Sequence, residues 1–382
     1  MAGVRHSQLG VALLAGWMIF ATAGLTRAAA PAAPIDHAAA MQAREQAVTK
    51  AVEYLRTKGQ AADGSYSAAA GPAVTALVTT AILRSGRTVQ DPQVAKALTY
   101  LMSFAQPDGG IYKTDSNYRN YETCLAIVCL SAANTDGRYT QTLKDAEKFV
   151  KGEQWDESEG NDRSNVNYGG AGYGKSKRPD LSNTSFLMDA LKATGNGPDD
   201  EAVKKALIFI SRTQNLETEF NTTEFAAKNP DGGFYYTPAA GGNSQAGKTD
   251  AGGLRSYASM TYAGLKSMIY AGLGPNDPRV KAATEWLAKH YALDSNPGMG
   301  DAGLYYYYNT FAKALDATGQ ETFTDEAGTA HRWRDELATE LAKRQRPDGS
   351  WINENNRWLE GDPNLVTGYA LLALSYTRPP QK

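Results

Sequence analysis

The segment "QRPDGSW" at residues 345–351 has near copies in "QAADGSY" at 60–66, "QPDGGIY" at 106–112 and "NPDGGFY" at 229–235. Nothing else in the sequence constrains the fold so tightly. Each copy reads as the end of a helix, a reversal at Asp-Gly and an aromatic that opens the next element. Self-similarity at a period of ~45–60 residues means stacked supersecondary units, none of which can bury its apolar face alone. A catalytic loop has no reason to recur along one chain, whereas a structural joint does.

Between the joints two kinds of helix alternate. One kind is amphipathic: 46–59, 91–106, 141–154, 199–214, 277–291 and 331–345. In "DPQVAKALTYLMSFAQ", Val94, Leu98, Leu101 and Met102 fall at three- and four-residue steps and form one apolar stripe. "DPQV" and "DPRV" put an acidic cap before a first-turn proline, a helix-start signal. The other kind is nearly free of charge: 72–85, 121–133, 181–194, 257–271, 304–318 and 363–376. A helix that is apolar all round is buried all round. Gly86, Gly195, Gly272 and Gly319 stand where four of these segments stop, as helix-closing glycines do. The pattern predicts an all-α chain with six inner and six outer helices, and no sheet larger than a short ribbon.

The N-terminus is of another character. Arg5 and His6 precede an apolar run from Leu9 to Leu25, followed by small residues at Ala28 to Ala30. This is the plan of a secretory signal peptide, and the run is shorter than the ~20 residues a membrane-spanning helix needs. The expected organisation is a signal peptide at 1–30, a linker at 31–44, one helical domain at 45–377 and a tail at 378–382, in a periplasmic or extracellular protein.

With 39 basic and 41 acidic residues the chain has a net charge of -2 and no basic stripe, which argues against nucleic acid as a partner. Cys124 and Cys129 lie five apart in a helical segment and so face different sides. They read as buried free thiols rather than a disulfide. Beyond residue 37 the only histidines are His290 and His331, too few to complete a metal site, and no cofactor is expected.

Gln-x-x-Asp-Gly-aromatic between paired helices resembles the QW repeat of squalene–hopene cyclases and the related repeat of protein prenyltransferase β subunits, over about residues 45–377. The resemblance implies an (α/α)6 toroid, six inner helices ringed by six outer ones, with reactive groups at the inner-helix N-termini around a central cavity. The third and fifth joints, "EQWDESEGNDRSNVNYGG" and "DSNPGMGDAGLYYYY", are expanded or degenerate.

The motifs of that superfamily are incomplete here. Cyclases protonate their substrate with Asp-x-Asp-Asp-Thr, and the best match is "DLSNTSF". Asp180 and Thr184 keep their places, while Ser182 replaces the central acid and Asn183 the third. A hydroxyl cannot protonate an isolated alkene, and Asp180 and Ser182 also read as helix caps. Prenyltransferases bind zinc through Asp-x-Cys and a histidine; Asp301 is present, but Gly303 replaces the thiolate and no histidine stands near Leu365 or Val366, so no zinc is expected. The thioester Cys-Gly-Glu-Gln of complement-type toroids is absent.

The remaining candidates surround the expected cavity. Asp180 is the catalytic candidate, with the helix N-terminus favouring its ionised form. Ser182, Asn183, Tyr257, Tyr262, Tyr305, Tyr306 and Asp301 are the candidate lining residues, and Tyr121 and Phe186 stand near other inner-helix starts. Such rings stabilise cations, although the four consecutive tyrosines 305–308 cannot all face one cavity, and packing between helices explains them equally. The glycine-rich stretch 229–260 reads as a lid, with Lys248, Asp250 and Arg255 as its polar groups. Two function classes fit: binding or conversion of a small hydrophobic, isoprenoid-like ligand, or a carbohydrate-active (α/α)6 enzyme using two carboxylates among Asp180, Asp301, Glu122 and Asp250. A non-catalytic interaction scaffold fits as well.

Overall fold

A computed structural model describes residues 35–174 and 178–378; the expected signal peptide lies outside them. In chain order the helices are α1 (His37–Tyr54), α2 (Pro72–Arg84), α3 (Pro92–Met102), α4 (Arg119–Ala133), α5 (Thr140–Gly152), α6 (Leu181–Ala193), α7 (Glu201–Arg212), α8 (Glu224–Lys228), α9 (Ala258–Tyr270), α10 (Pro278–Lys289), α11 (Leu304–Ala317), α12 (Trp333–Arg344) and α13 (Pro363–Ser375). The largely apolar helices α2, α4, α6, α9, α11 and α13 pack side by side in that order, and α13 returns to α2 to close the ring. The amphipathic helices α1, α3, α5, α7, α10 and α12 pack outside them. The short α8 is an addition within the fourth joint.

The sequence pattern explains the two rings. Every residue of α2 from Pro72 to Ile82 is buried, as a helix without a polar face requires. On α3 only one stripe is buried, Gln93, Val94, Ala97, Leu98 and Leu101. Among the described residues the one sheet is an antiparallel ribbon, β1 (Phe323–Thr324) with β2 (Ala330–His331). Residues 37–44, read as linker, are the first turns of α1: Asp36 caps it through Ala38 N, and Arg44 is buried, donating to Leu374 O and Thr377 Oγ1. A charged residue on the buried face hid this turn from the periodicity. Cys124 and Cys129 are free and buried within α4, and burial pushes the Cys129 thiol up to about 12.

An amide bridge recurs in four of the six joints, while in the second Gln106 Nε2 donates to Tyr112 O instead. Gln345 Nε2 donates to Gly349 O in its own turn (2.9 Å) and to Ala47 O on the next outer helix, α1 (2.8 Å). The same amide bridge joins Gln60 to Gly64 O and Gln93 O, Gln154 to Gly169 O and Ala202 O, and Gln214 to Gly232 O and Arg279 O. The glycine lies against a carbonyl one turn further along that outer helix. At Gly169 an added Cβ would stand 1.9 Å from Lys205 O, and φ is +82°, so only glycine fits. The third joint therefore has the regular geometry despite its degenerate sequence. In the fourth, Gln214 fills the place that the spacing suggested for Asn229.

A second recurring contact involves the inner helices. The residue two after the joint glycine donates its N–H to a threonine hydroxyl near the start of the following inner helix: Tyr66 to Thr75, Ile111 to Thr123, Ala171 to Thr184, Phe234 to Thr261 and Trp351 to Thr367. Trp351 and Tyr66 are fully buried there. In the second joint Ile111 takes that place, and Tyr112, one residue later, stacks half-buried on Phe149. The fifth joint lacks both devices. Tyr307 stands where the threonine would, and Tyr307 and Tyr308 reach out to Ala292 O and Leu293 O, each at 2.5 Å. Residues 296–297 turn back to cap α9: Pro297 O accepts from Ala258 N, and Asn296 Oδ1 from Ser259 N.

Candidate functional site

The threonine register decides which side chains face the axis of the ring. The residues one and two places before each threonine, Ala73 and Val74, Tyr121 and Glu122, Ser182 and Asn183, Ser259 and Met260, line a cavity of ≈ 560 Å³ at the N-terminal ends of the inner helices. On α13 Leu365 lines it, and on α11 Tyr306 does. Four rings from four helices adjoin one another along the wall: Tyr121 and Phe186 have centroids 5.0 Å apart, Phe186 and Tyr306 6.2 Å, Tyr306 and Tyr369 6.0 Å. Tyr173, Tyr236 and Tyr257 continue the wall from the loops, and Tyr118, Trp358 and Leu359 stand at the mouth. Lys113 is the one basic residue among those that line it.

Repetition separates architecture from site. Thr184, shared with the cyclase acid motif, is one of five equivalent joint threonines. The place of Asp180 is taken elsewhere by Gly71, Arg119, Tyr257 and Pro363, so its carboxylate belongs to no repeated contact. Asp180 caps α6, accepting from Asn183 N (2.9 Å) and Asn183 Nδ2 (2.8 Å). It does not line the cavity directly; its link is a hydrogen bond from the hydroxyl of Tyr236, which does. The helix N-terminus alone would lower the pKa of Asp180, but the net shift is upward. Burial removes its hydration and pushes it up to about 6, and the bonds from Asn183 and Tyr236 only partly offset this.

Three carboxylate residues line the cavity itself: the exposed Asp115 and two buried ones, Glu122 and Glu360. Glu122 is buried and accepts from Lys113 N (3.0 Å) and Ser116 Oγ (3.0 Å). Glu360 is buried and caps α11 from another segment, accepting from Tyr305 N, Tyr306 N and Asn353 Nδ2. Burial raises both carboxyls above the usual range. Glu360 escapes the sequence reading because the helix start it caps lies more than fifty residues away, and no local pattern marks it.

The other candidates divide. Ser182, Asn183, Tyr257 and Tyr306 line the cavity, and Tyr306 Oη lies 3.1 Å from Ser182 Oγ. Tyr262 points away from it, wedged between α9 and α11 against Phe311 (5.0 Å) and Tyr307 (5.9 Å). Tyr305 also turns away, because Tyr306 takes the inward register, and packs on Tyr308 at 5.6 Å. Asp301 is exposed outside the cavity and contributes only its carbonyl, to Asn353 Nδ2. Of the stretch expected as a lid, Tyr236, Gln245, Tyr257, Ser259 and Met260 reach the cavity, while Lys248, Asp250 and Arg255 are exposed away from it. Among the described residues no group of three or more His, Cys, Asp or Glu side chains is arranged to hold a metal.

Further along the inner helices, Asp189 on α6 lies between Lys266 Nζ of α9 (2.6 Å) and Lys313 Nζ of α11 (2.7 Å). Facing two ammonium groups, the carboxyl is held at about 2. Lys266, fully buried and sharing Asp189 with Lys313, is lowered to about 8. These charges lie on three different helices that otherwise read as largely apolar, so nothing in sequence pairs them.

Residues 68–238 match the family model of the squalene-hopene cyclase C-terminal domain. Among solved structures, the chain is similar to the type II terpene cyclase MstE from Scytonema in its apo form, with 14% identity over 88% of this chain and 98% of that one and a TM-score of 0.49. A variant of MstE in complex with its product, merosterolic acid A, matches at 14% identity over 89% and 99%, TM-score 0.49. A protein from Actinoplanes matches at 13% identity over 87% and 99%, TM-score 0.37. No curated protein sequence matches significantly.

Proposed function

We propose that this chain, a member of the terpenoid cyclase-like superfamily through residues 68–238, is exported and binds or converts an uncharged, isoprenoid-like hydrophobic ligand in the cavity at its inner-helix N-termini. The observation that carries this is the wall of rings from Tyr121, Phe186, Tyr306 and Tyr369, joined by Tyr173, Tyr236 and Tyr257. The volume falls within the ~300–1,000 Å³ typical of small-ligand pockets. Glu122 and Glu360 oppose a diphosphate head group, and Lys113 alone would not hold one. A hydrocarbon chain or a terpenoid alcohol suits the wall, its hydroxyl meeting Tyr236 or Asn183. Ser182 cannot supply the proton that opens alkene cyclisation, so squalene is not expected to yield hopene here. Asp180, through Tyr236, is the group assigned to anchor the ligand or exchange a proton with it.

The test is binding of farnesol to the wild type and to Asp180→Asn, followed by calorimetry and thermal melting. Asparagine caps a helix about as well as aspartate, so the variant keeps its fold while affinity falls. Because burial raises Asp180 above its ordinary 3.8 to about 6, the stability of its protonated form is fully present below 3.8 and is lost as pH rises through 6. The wild type should therefore lose stability relative to the variant between about pH 4 and 7. Binding of oligosaccharides but of no terpenoid alcohol would overturn the proposal in favour of a glycan. Export rests on residues 1–30; recovery of the chain only inside the cell, with Met1 or its immediate successor still at the N-terminus, would refute it.

A further inference from the structure

Of five large apolar side chains exposed among the described residues, three stand at the mouth of the cavity: Tyr118 (53% exposed), Trp358 (45%) and Leu359 (57%). Trp358 and Leu359 are also consecutive residues with left-handed backbone, φ +58° and +64°. That conformation crowds Cβ against the following carbonyl, and bulky residues rarely adopt it. The loop is held in it from both sides. Asn355 Oδ1 accepts from Arg357 N, Asn356 Oδ1 accepts from Gly361 N, and Glu360 is locked onto the start of α11. The indole lies against Gly303, where a Cβ would come within 3.0 Å of Cζ3. The Arg357 guanidinium sits 4.2 Å from the ring centroid and bonds Gln245 of the facing loop.

Exposure of apolar surface and a left-handed backbone are both unfavourable in the ligand-free chain. Glycine would relieve the backbone, and a polar residue would relieve the exposure. Both penalties fall on the same two residues, on a loop whose hydrogen bonds hold them over one opening. Resting on the hydrophobic-ligand reading above, we propose that Trp358, Leu359 and Tyr118 form an outer subsite that clasps the far end of a linear hydrocarbon chain longer than the cavity. Affinity then depends on chain length at the mouth, while the inner rings select for hydrocarbon.

The experiment measures affinity for geraniol, farnesol and geranylgeraniol, which differ only in the number of isoprene units, in the wild type and in Trp358→Gly, Leu359→Gly and Tyr118→Ala. Geranylgeraniol affinity should fall about tenfold or more in each variant, a loss of ~1.4 kcal/mol, while geraniol affinity stays within a factor of two or so. The two glycine variants should melt no lower than the wild type, since glycine accepts the left-handed backbone. Equal losses for all three alcohols, or losses for none, would overturn the outer subsite and leave the hydrophobic-ligand reading intact. A lower melting temperature in both glycine variants would make the pair a structural plug and also overturn it. Failure of the wild type to bind any of the three would overturn both.

Discussion

The third joint, between α5 and α6, and the fifth, between α10 and α11, both depart from the Gln-x-x-Asp-Gly spacing, in opposite ways. In the third, Gln154 stands fifteen residues before Gly169, where Gln345 stands four before Gly349. Yet its amide bridge, its glycine and its threonine occupy the regular positions. In the fifth, the outer helix ends on His290 stacked over Trp286 at 3.9 Å, with no glutamine and no threonine, and tyrosine hydroxyls reach backbone carbonyls instead. The joint is therefore a set of contacts rather than a length of chain. Extra residues between its members add little closure entropy, because that term grows only logarithmically with loop length. Loss of the contacting groups leaves buried backbone polar groups that other side chains must satisfy.

The largest expected effect tests the regular geometry. Trp351→Ala empties a fully buried site, with Nε1 bonded to Leu341 O at 2.8 Å, and should cost ~3–5 kcal/mol. An unchanged melting temperature would end the view that the joint aromatic is structural. Next comes Gly169→Ala, which drives Cβ into Lys205 O and should cost ~3 kcal/mol. A neutral result in chemical denaturation would show that the third joint is as degenerate as its sequence. Free of any clash is Gly300→Ala, where nothing lies within 4 Å of the added Cβ and φ is +59°, leaving only ~1–2 kcal/mol of backbone strain. A penalty matching Gly169→Ala would erase the distinction between the two joints. Tyr307→Phe removes the substitute hydrogen bond of the fifth joint and should cost ~1 kcal/mol; a loss as large as that at Trp351 would mean the fifth joint is held by this one contact.

The cavity was legible in part, and the threonines show why. Ser182, Asn183 and Tyr306 were reached because a motif or an aromatic run drew attention to them. Tyr262 and Tyr305 were drawn in by the same composition and turn away, because on a helix one step rotates a side chain by about 100°. The signal that would have sorted them, a threonine near the start of five inner helices, is present in the sequence but looks unremarkable until its hydroxyl is seen accepting from the joint. Glu360, Tyr236 and Trp358 come from loops, where no periodicity predicts direction.

What the sequence determined by itself is the alternation of amphipathic and apolar helices and the reversal at each Asp-Gly, because those depend on 3.6-residue periodicity and on backbone freedom within a few residues. Only the tertiary structure decided which residues meet on the axis, because the ring brings Asp189 to Lys266 and Lys313, and Glu360 to the start of α11, across some fifty to over a hundred residues of chain. It also reversed the direction in which the pKa of Asp180 moves. The local helix N-terminus favours its charge, but the surrounding ring removes the water that would hydrate it, and desolvation outweighs the dipole.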